Sequence, residues 1–154
     1  MASQTPGLLL NDQLCFALYA ATNAVVRAYR PMLAELGLTY PQYLLMLALW
    51  QDGSGSVHAL AERLRLGPNA ITPLVDRLEA AGFVTRARGT DRRVVLVALT
   101  KTGIGLEAKV SVAQQSVVCR VGLADRDLAA LRKELQDLTD RLTATGEARE
   151  NEAT

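Results

Sequence analysis

The sequence predicts a mostly α fold carrying one small β-hairpin, and three observations say so. Between residues 57 and 100 the pattern runs helix, tight turn, helix, strand, polar tip, returning strand. The same stretch concentrates positive charge: residues 57–103 hold eight Lys/Arg against four Asp/Glu, a net +4, while the rest of the chain is −3. Near the end, Leu128, Leu131, Leu135, Leu138 and Leu142 recur at spacings of three and four, a heptad seam. Together these outline a winged helix-turn-helix with a helical dimerisation region built from both chain ends.

Taken in order, residues 1–7 read as a loose tail. Asn11 or Asp12 is placed to cap a helix running to about Leu36, with an apolar stripe of Leu14, Leu18, Ala21, Val25 and Ala28. Pro31 should kink or divide that helix, and Gly37 ends it. Thr39 and Gln42 form a capping box for a helix through Leu49. Its run YLLMLALW is apolar all round and should be buried. DGSGS is a turn. Ser56 caps a short helix whose Val57, Leu60, Ala61 and Leu64 share one face. Gly67 supplies the angles of a tight turn, and Pro68 suits the first position of the next helix.

On that second helix Ile71, Leu74, Val75 and Leu78 face inward. Asn69, Thr72, Pro73, Asp76 and Ala80 lie opposite, with Arg77 on the flank. A small, polar outward face over a buried one is what a major-groove helix requires. Gly82 stops it. Two strands follow, FVTRAR with Arg86 and Arg88, and VVLVALT with Val95, Val97 and Leu99 alternating. The tip between them holds Gly89, Thr90, Asp91, Arg92 and Arg93, and its arginines point into solvent where they would meet phosphate. A long helix then runs from Thr100 to about Val121, broken by Gly122. Asp125 and Asp127 open the last helix favourably to its dipole, and residues 146–154 read as a frayed tail. The leucine seam, with Leu14 and Leu18 of the first helix, predicts a homodimer. That would set two recognition helices one DNA turn apart on a palindromic duplex site.

Length and composition bound the rest. The 154 residues, 49% of them apolar, suffice for one globular domain, with residues 8–36 and 103–145 as dimerisation helices and 40–100 as the winged unit. The N-terminus lacks the basic region and cleavage site of a signal peptide, and LLL is too short to span a membrane, so a cytoplasmic protein without membrane contact is expected. Two cysteines about a hundred residues apart read as thiols, not as a disulfide scaffold. No glycine-rich phosphate loop is present, so no cofactor is expected. The single histidine, His58, excludes an ordinary multi-histidine metal site and reads as a surface residue.

One cysteine is placed for chemistry. Cys15 sits about one turn inside the first helix, where the dipole favours a thiolate. Tyr19 lies one turn further on. Tyr29 shares that face but stands about 21 Å along the axis, at about 1.5 Å per residue. It therefore reaches the Cys15 of an antiparallel partner, not its own, and Tyr40 opens the next helix nearby. A phenol donating to a thiolate stabilises it. By residue type alone, a buried inert cysteine explains Cys15 as well, since free cysteines are commonly buried.

A resemblance adds to this reading. LAERLRL, ITPLVDRLEAAGFVTR and DRRVVLVALTKTG look like MarR-type regulators. Their wing pattern, Asp-x-Arg followed by Val-x-Leu-Thr, falls on Asp91, Arg93, Val97, Leu99 and Thr100. The resemblance spans nearly the whole chain and implies a dimeric transcriptional regulator, with the wing arginine in the minor groove. LCFALYAATNAVVRAYRPMLAELGLTYPQYLLMLALW is similar to the start of the organic-hydroperoxide-sensing OhrR-type branch. What that branch implies is that Cys15 is the peroxide sensor, held by Tyr29 and Tyr40 of the partner subunit, and that Cys119 occupies the place of a resolving cysteine. Cys15 would then oxidise to sulfenic acid and form an intersubunit disulfide with Cys119, moving the DNA-binding lobes out of register. Two departures bear on the operator rather than the fold. Gly67, Pro68, Asn69 and Ala70 stand where small hydroxyl residues are usual, and Asp76 stands where a lysine is expected.

Three functions compete. The first is a repressor released from DNA by organic hydroperoxide. The second is the same repressor released by a small phenolic or aromatic ligand in the cleft between the DNA-binding lobes and the dimer region, its cysteines incidental. The third, a thiol peroxidase, lacks any Cys-x-x-Cys pair or His/Asp constellation, so no enzyme is expected.

Overall fold

The computed structural model describes residues 7–91 and 93–152. It has six helices and three short strands: α1 (Leu14–Glu35), α2 (Tyr40–Asp52), β1 (Ser54–Ser56), α3 (Val57–Arg63), α4 (Pro68–Ala80), β2 (Val84–Arg88), β3 (Val95–Leu99), α5 (Lys101–Val121) and α6 (Asp125–Glu152). The mostly helical fold with a small wing is therefore as expected. Two compact units divide the chain, Met1–Val117 and Val118–Thr154.

The first unit is built around α2. Leu45, Met46 and Leu49 are fully enclosed, and Ile71, Val75 and Leu78 of α4 and Val97 of β3 join them in one core. Six positions of α2 are buried, as its all-round apolar pattern requires. Its start is tied by the Thr39 backbone N–H, which donates to Gln42 Oε1 at 2.7 Å. The helix-turn-helix begins where the Ser56 hydroxyl accepts from the Ala59 N–H at 3.1 Å. At the end of α4, Gly82 takes φ +77, and the Gly82 and Phe83 N–H groups return to Glu79 and Leu78. Thr100 caps α5, its hydroxyl accepting from Gly103 N–H at 3.1 Å and donating to the Gly82 carbonyl at 2.6 Å. Trp50 Nε1 donates to the Gly103 carbonyl at 2.9 Å, and a Cβ on Gly103 would meet the Phe83 carbonyl oxygen at 2.1 Å. Only glycine allows α5 that close to the winged core.

Five expectations need correction. Neither Asn11 nor Asp12 caps α1: Leu10–Asp12 form a 3-10 turn and Gln13 is the cap residue. Gln13 Nε2 donates to the carbonyls of Gly7 and Leu9, which ties that turn down. Pro31 does not divide α1, which runs unbroken through it. Pro31 and Arg27 both lie on the exposed face, where water can serve the carbonyl that loses its donor. DGSGS is not only a turn, because Ser54–Ser56 pair with β3 and make the hairpin a three-stranded sheet, order β1-β3-β2. The free edge of β3 recruits a segment with no strand propensity of its own. The tight-turn angles fall on Arg65, at φ +53, while Gly67 is extended. Finally, residues 146–152 continue α6 as helix. Ala148, Arg149 and Glu150 are strong helix formers that outweigh Gly146.

The second unit holds the end of α5 and all of α6. Gly122, at φ +69, separates the two helices. Along α6 the seam leucines Leu131, Leu135 and Leu142 are 45%, 40% and 66% exposed, and Leu128 and Leu138 are half-buried.

Candidate nucleic-acid interface and thiol site

The outward side of α4 follows from its inward side. Ile71, Val75 and Leu78 are sealed in the core, and helical spacing then leaves Asn69, Thr72, Pro73, Asp76 and Arg77 exposed together. The wing projects from the same unit. Gly89 N–H donates to the Val94 carbonyl at 2.8 Å, and Val94 N–H to the Asp91 carbonyl at 2.9 Å. The Asp91 carboxylate accepts from Arg93 N–H at 3.0 Å, which fixes the tip. Arg93 itself is 93% exposed along its side chain and held only loosely by Asp91, 3.9 Å away. Arg88 is exposed as well. Arg92 lies outside the described residues.

Arg86 behaves differently from the other wing arginines. Its Nη2 donates to Asp76 Oδ1, its backbone N–H donates to Glu79 Oε1 at 3.1 Å, and its Nε lies 3.6 Å from Glu79 Oε2. The guanidinium thus turns back to α4 and neutralises the carboxylate on the outward face. Glu79 was not singled out from the sequence, because the pairing depends on how the sheet packs on α4. A cavity of about 540 Å3 lies between α3, α4 and the wing, lined by Val57, Ile71, Thr72, Val75, Arg86 and Arg93. His58, at its rim, pairs with Glu62 at 3.4 Å on an exposed surface.

Cys15 is the second residue of α1, not a full turn inside it, and it is exposed. Tyr19 is 67% exposed. Tyr29 and Tyr40 come together, ring centroids 5.6 Å apart. A third ring, Tyr43, stands 5.5 Å from Tyr29 and 6.0 Å from Tyr40. Tyr43 was missed because its place in an apolar helix gave no sign of chemistry. Its hydroxyl is buried without a hydrogen-bond partner of good geometry. Burial, and then the neighbouring Tyr29 phenol, hold the Tyr40 and Tyr43 hydroxyls above the usual phenol value of 10. Both stay protonated as donors. A smaller cavity of about 300 Å3 adjoins Tyr40, lined by Val26, Arg30, Leu33, Ala34 and Leu38. Within one chain no hydrogen bond joins Cys15 to these phenols, among the described residues. Cys119, in the last turn of α5 and in the second unit, is exposed too. Among the described residues there is no metal-binding cluster, and no single helix is long and apolar enough to cross a membrane.

A buried-faced helix with a small polar front, beside an arginine-tipped wing, defines a winged helix-turn-helix DNA-binding protein. The MarR family pattern matches residues 38–95. The chain is 44% identical to the HTH-type transcriptional regulator TtmR of Methylorubrum extorquens, over 88% of this chain and 70% of that one. It is 34% identical to the Organic hydroperoxide resistance transcriptional regulator of Bacillus subtilis, over 92% and 97%. Among solved structures, overoxidized AbfR bound to DNA is similar, with a TM-score of 0.72 at 31% identity over 85% of this chain and 93% of that one. The chain belongs to the MarR family and is a DNA-binding transcriptional regulator of that type, not an enzyme.

Proposed function

We propose that this regulator is an OhrR-type repressor that senses organic hydroperoxides in the cytoplasm through Cys15. The observation that carries the reading is the exposed thiol at the second position of α1. Its support outside the chain is the relative named for organic hydroperoxide resistance and the likeness to a DNA-bound regulator captured in an overoxidized form. The whole chain works as one MarR-type domain. Residues 8–36 and 103–145 pair two copies through Leu14, Leu18 and the α6 seam, and residues 40–100 read a palindromic duplex operator. Asn69, Thr72, Pro73, Asp76 and Arg77 face the major groove. Arg88, Asp91, Arg92 and Arg93 serve the backbone and minor groove, with Arg86 behind them.

In the switch, the Cys15 thiolate attacks one peroxide oxygen. The S–O bond forms as the O–O bond breaks, and the departing alkoxide takes a proton to leave as alcohol. Tyr29 and Tyr40 of the partner subunit, with Tyr19 beside the thiol, donate to the thiolate. The apolar room next to Tyr40 suits an organic peroxide. The thiolate of Cys119 of the partner subunit then attacks the sulfenic sulfur, forming S–S and expelling hydroxide, which leaves as water on protonation. The disulfide pulls the two lobes out of register with the operator.

Non-reducing denaturing gels after a stoichiometric organic hydroperoxide test this. The wild type should give a covalent dimer, and Cys15→Ser and Cys119→Ser should give none. A Cys15 left unoxidised by mass spectrometry would overturn the reading. In the second reading a small aromatic ligand in the cleft between the DNA-binding lobes and the dimer region releases the operator, and Cys15→Ser still responds to it; the cavity of about 540 Å3 lies instead within the winged unit.

A further inference from the structure

Asp76 is an unexpected residue on a surface that meets phosphate. A bare carboxylate on the outward side of α4 would be repelled by DNA, but this one is not bare. Arg86 Nη2 donates to its Oδ1, the Arg86 backbone N–H donates to Glu79 Oε1 at 3.1 Å, and Arg86 Nε lies 3.6 Å from Glu79 Oε2, an ion pair too long for a hydrogen bond. The ion pair offsets the repulsion and fixes the carboxylate's direction. Among the described residues no hydrogen bond reaches the second oxygen, Oδ2, and the side chain remains 55% exposed. Asn69 and Thr72 lie on the same outward face two turns and one turn earlier, so Asp76 is on the outward face with them and not behind it.

An ionised carboxylate can only accept hydrogen bonds. In the major groove, guanine offers the acceptors N7 and O6, and thymine offers O4 and a methyl group. Adenine offers an amino group, but N7 stands beside it and repels the second oxygen. Cytosine's own edge offers the N4 amino group and no acceptor, the neighbouring O6 belonging to the paired guanine. Resting on the placement of α4 in the major groove, we propose that Asp76 is a base-reading residue. Its free oxygen accepts from the exocyclic amino group of a cytosine, and Arg86 is the positioning residue that aims it. An outward acidic side chain in place of a basic one then exchanges a general attraction for discrimination, chiefly against guanine.

The test is selection from a random-sequence duplex pool by the full-length protein, followed by affinities for single-base variants of the recovered site. Wild type should recover a cytosine at one position of each half-site and prefer it over guanine about tenfold. Asp76→Asn should shift that same position toward adenine, because an amide can accept from N6 and donate to N7. Asp76→Ala should flatten that position and leave the others unchanged. Arg86→Gln should blur the same position, which a mere brace between α4 and β2 would not do. Thermal melting establishes that each variant is folded. Variants that change affinity equally for every sequence, with all base preferences as in wild type, would overturn the proposal. A wild type that enriches no sequence would instead overturn the major-groove placement itself, which separates the two failures.

Discussion

Helices α4 and α6 treat their apolar faces in opposite ways. In α4, Ile71, Val75 and Leu78 have no exposed surface at all, whereas in α6 Leu131, Leu135 and Leu142 remain 40% to 66% exposed. Both helices have an apolar stripe of the right period. What differs is the partner: α4 finds α2, α3 and the sheet within its own chain, and the α6 seam shows its leucines to solvent. Full burial of one such side chain is worth about 1.5–3 kcal/mol, so a seam with three exposed and two half-buried leucines holds a large unused driving force. The winged unit is finished by its own residues, and we propose that a second copy completes the seam.

The comparison can be broken from either side. Ile71→Ala should have the largest effect, a loss of about 2–5 kcal/mol read by thermal or denaturant unfolding, because the cavity forms in a sealed core. A loss under about 1 kcal/mol would show that α4 is not locked as the burial implies. Leu135→Asp should act elsewhere, yielding a monomer by sedimentation while the winged unit keeps its melting behaviour. A mutant that stays dimeric would mean the seam is not the interface. Arg93→Ala should weaken DNA binding across sequences and reduce the salt slope by about 1. An unchanged slope would remove the wing tip from phosphate contact.

Two smaller effects sharpen the picture of the winged unit and the tyrosines beside it. Arg65 carries φ +53 at the end of α3, where a side chain is strained. Arg65→Gly should therefore raise stability by about 1 kcal/mol. A destabilised variant would mean the arginine side chain outweighs the strain. Tyr40 and Tyr43 have phenols held above the usual 10 in the folded state. Their contribution is fully present below about pH 10 and is lost as pH rises from there through the folded values. Stability should thus fall in that alkaline window, and Tyr43→Phe, which deletes an unpartnered hydroxyl, should flatten the fall at little cost near neutrality. An identical alkaline decline in Tyr43→Phe would assign the loss to other groups.

Much of the reading face was legible because helical period is a local property. The inward set Ile71, Val75 and Leu78 fixes which way Asn69, Thr72 and Asp76 point, and no tertiary information is needed. The cap at Ser56, the stop at Gly82 and the seam spacing of α6 are likewise written in a few adjacent residues. Of the proposed thiol site, Tyr29 and Tyr40 were marked by their helical positions and by a resemblance, but Tyr43 had no signal apart from being one more large residue in a buried helix.

The sequence by itself determined the order of elements, the two faces of each amphipathic helix and the place where positive charge collects. All three depend on neighbours within a turn or two. The tertiary structure decided the rest, wherever a group's partner is distant along the chain. Ser54–Ser56 became a strand only because β3 offered an open edge. Arg65 accepted a left-handed backbone, which the local pattern had assigned to Gly67, because the packing of α3 on α4 set the turn two residues earlier. Asp76 and Arg86, ten residues apart, became one charge pair because β2 folds back onto α4. Such pairings are settled by loop closure and packing, which no local window of sequence contains.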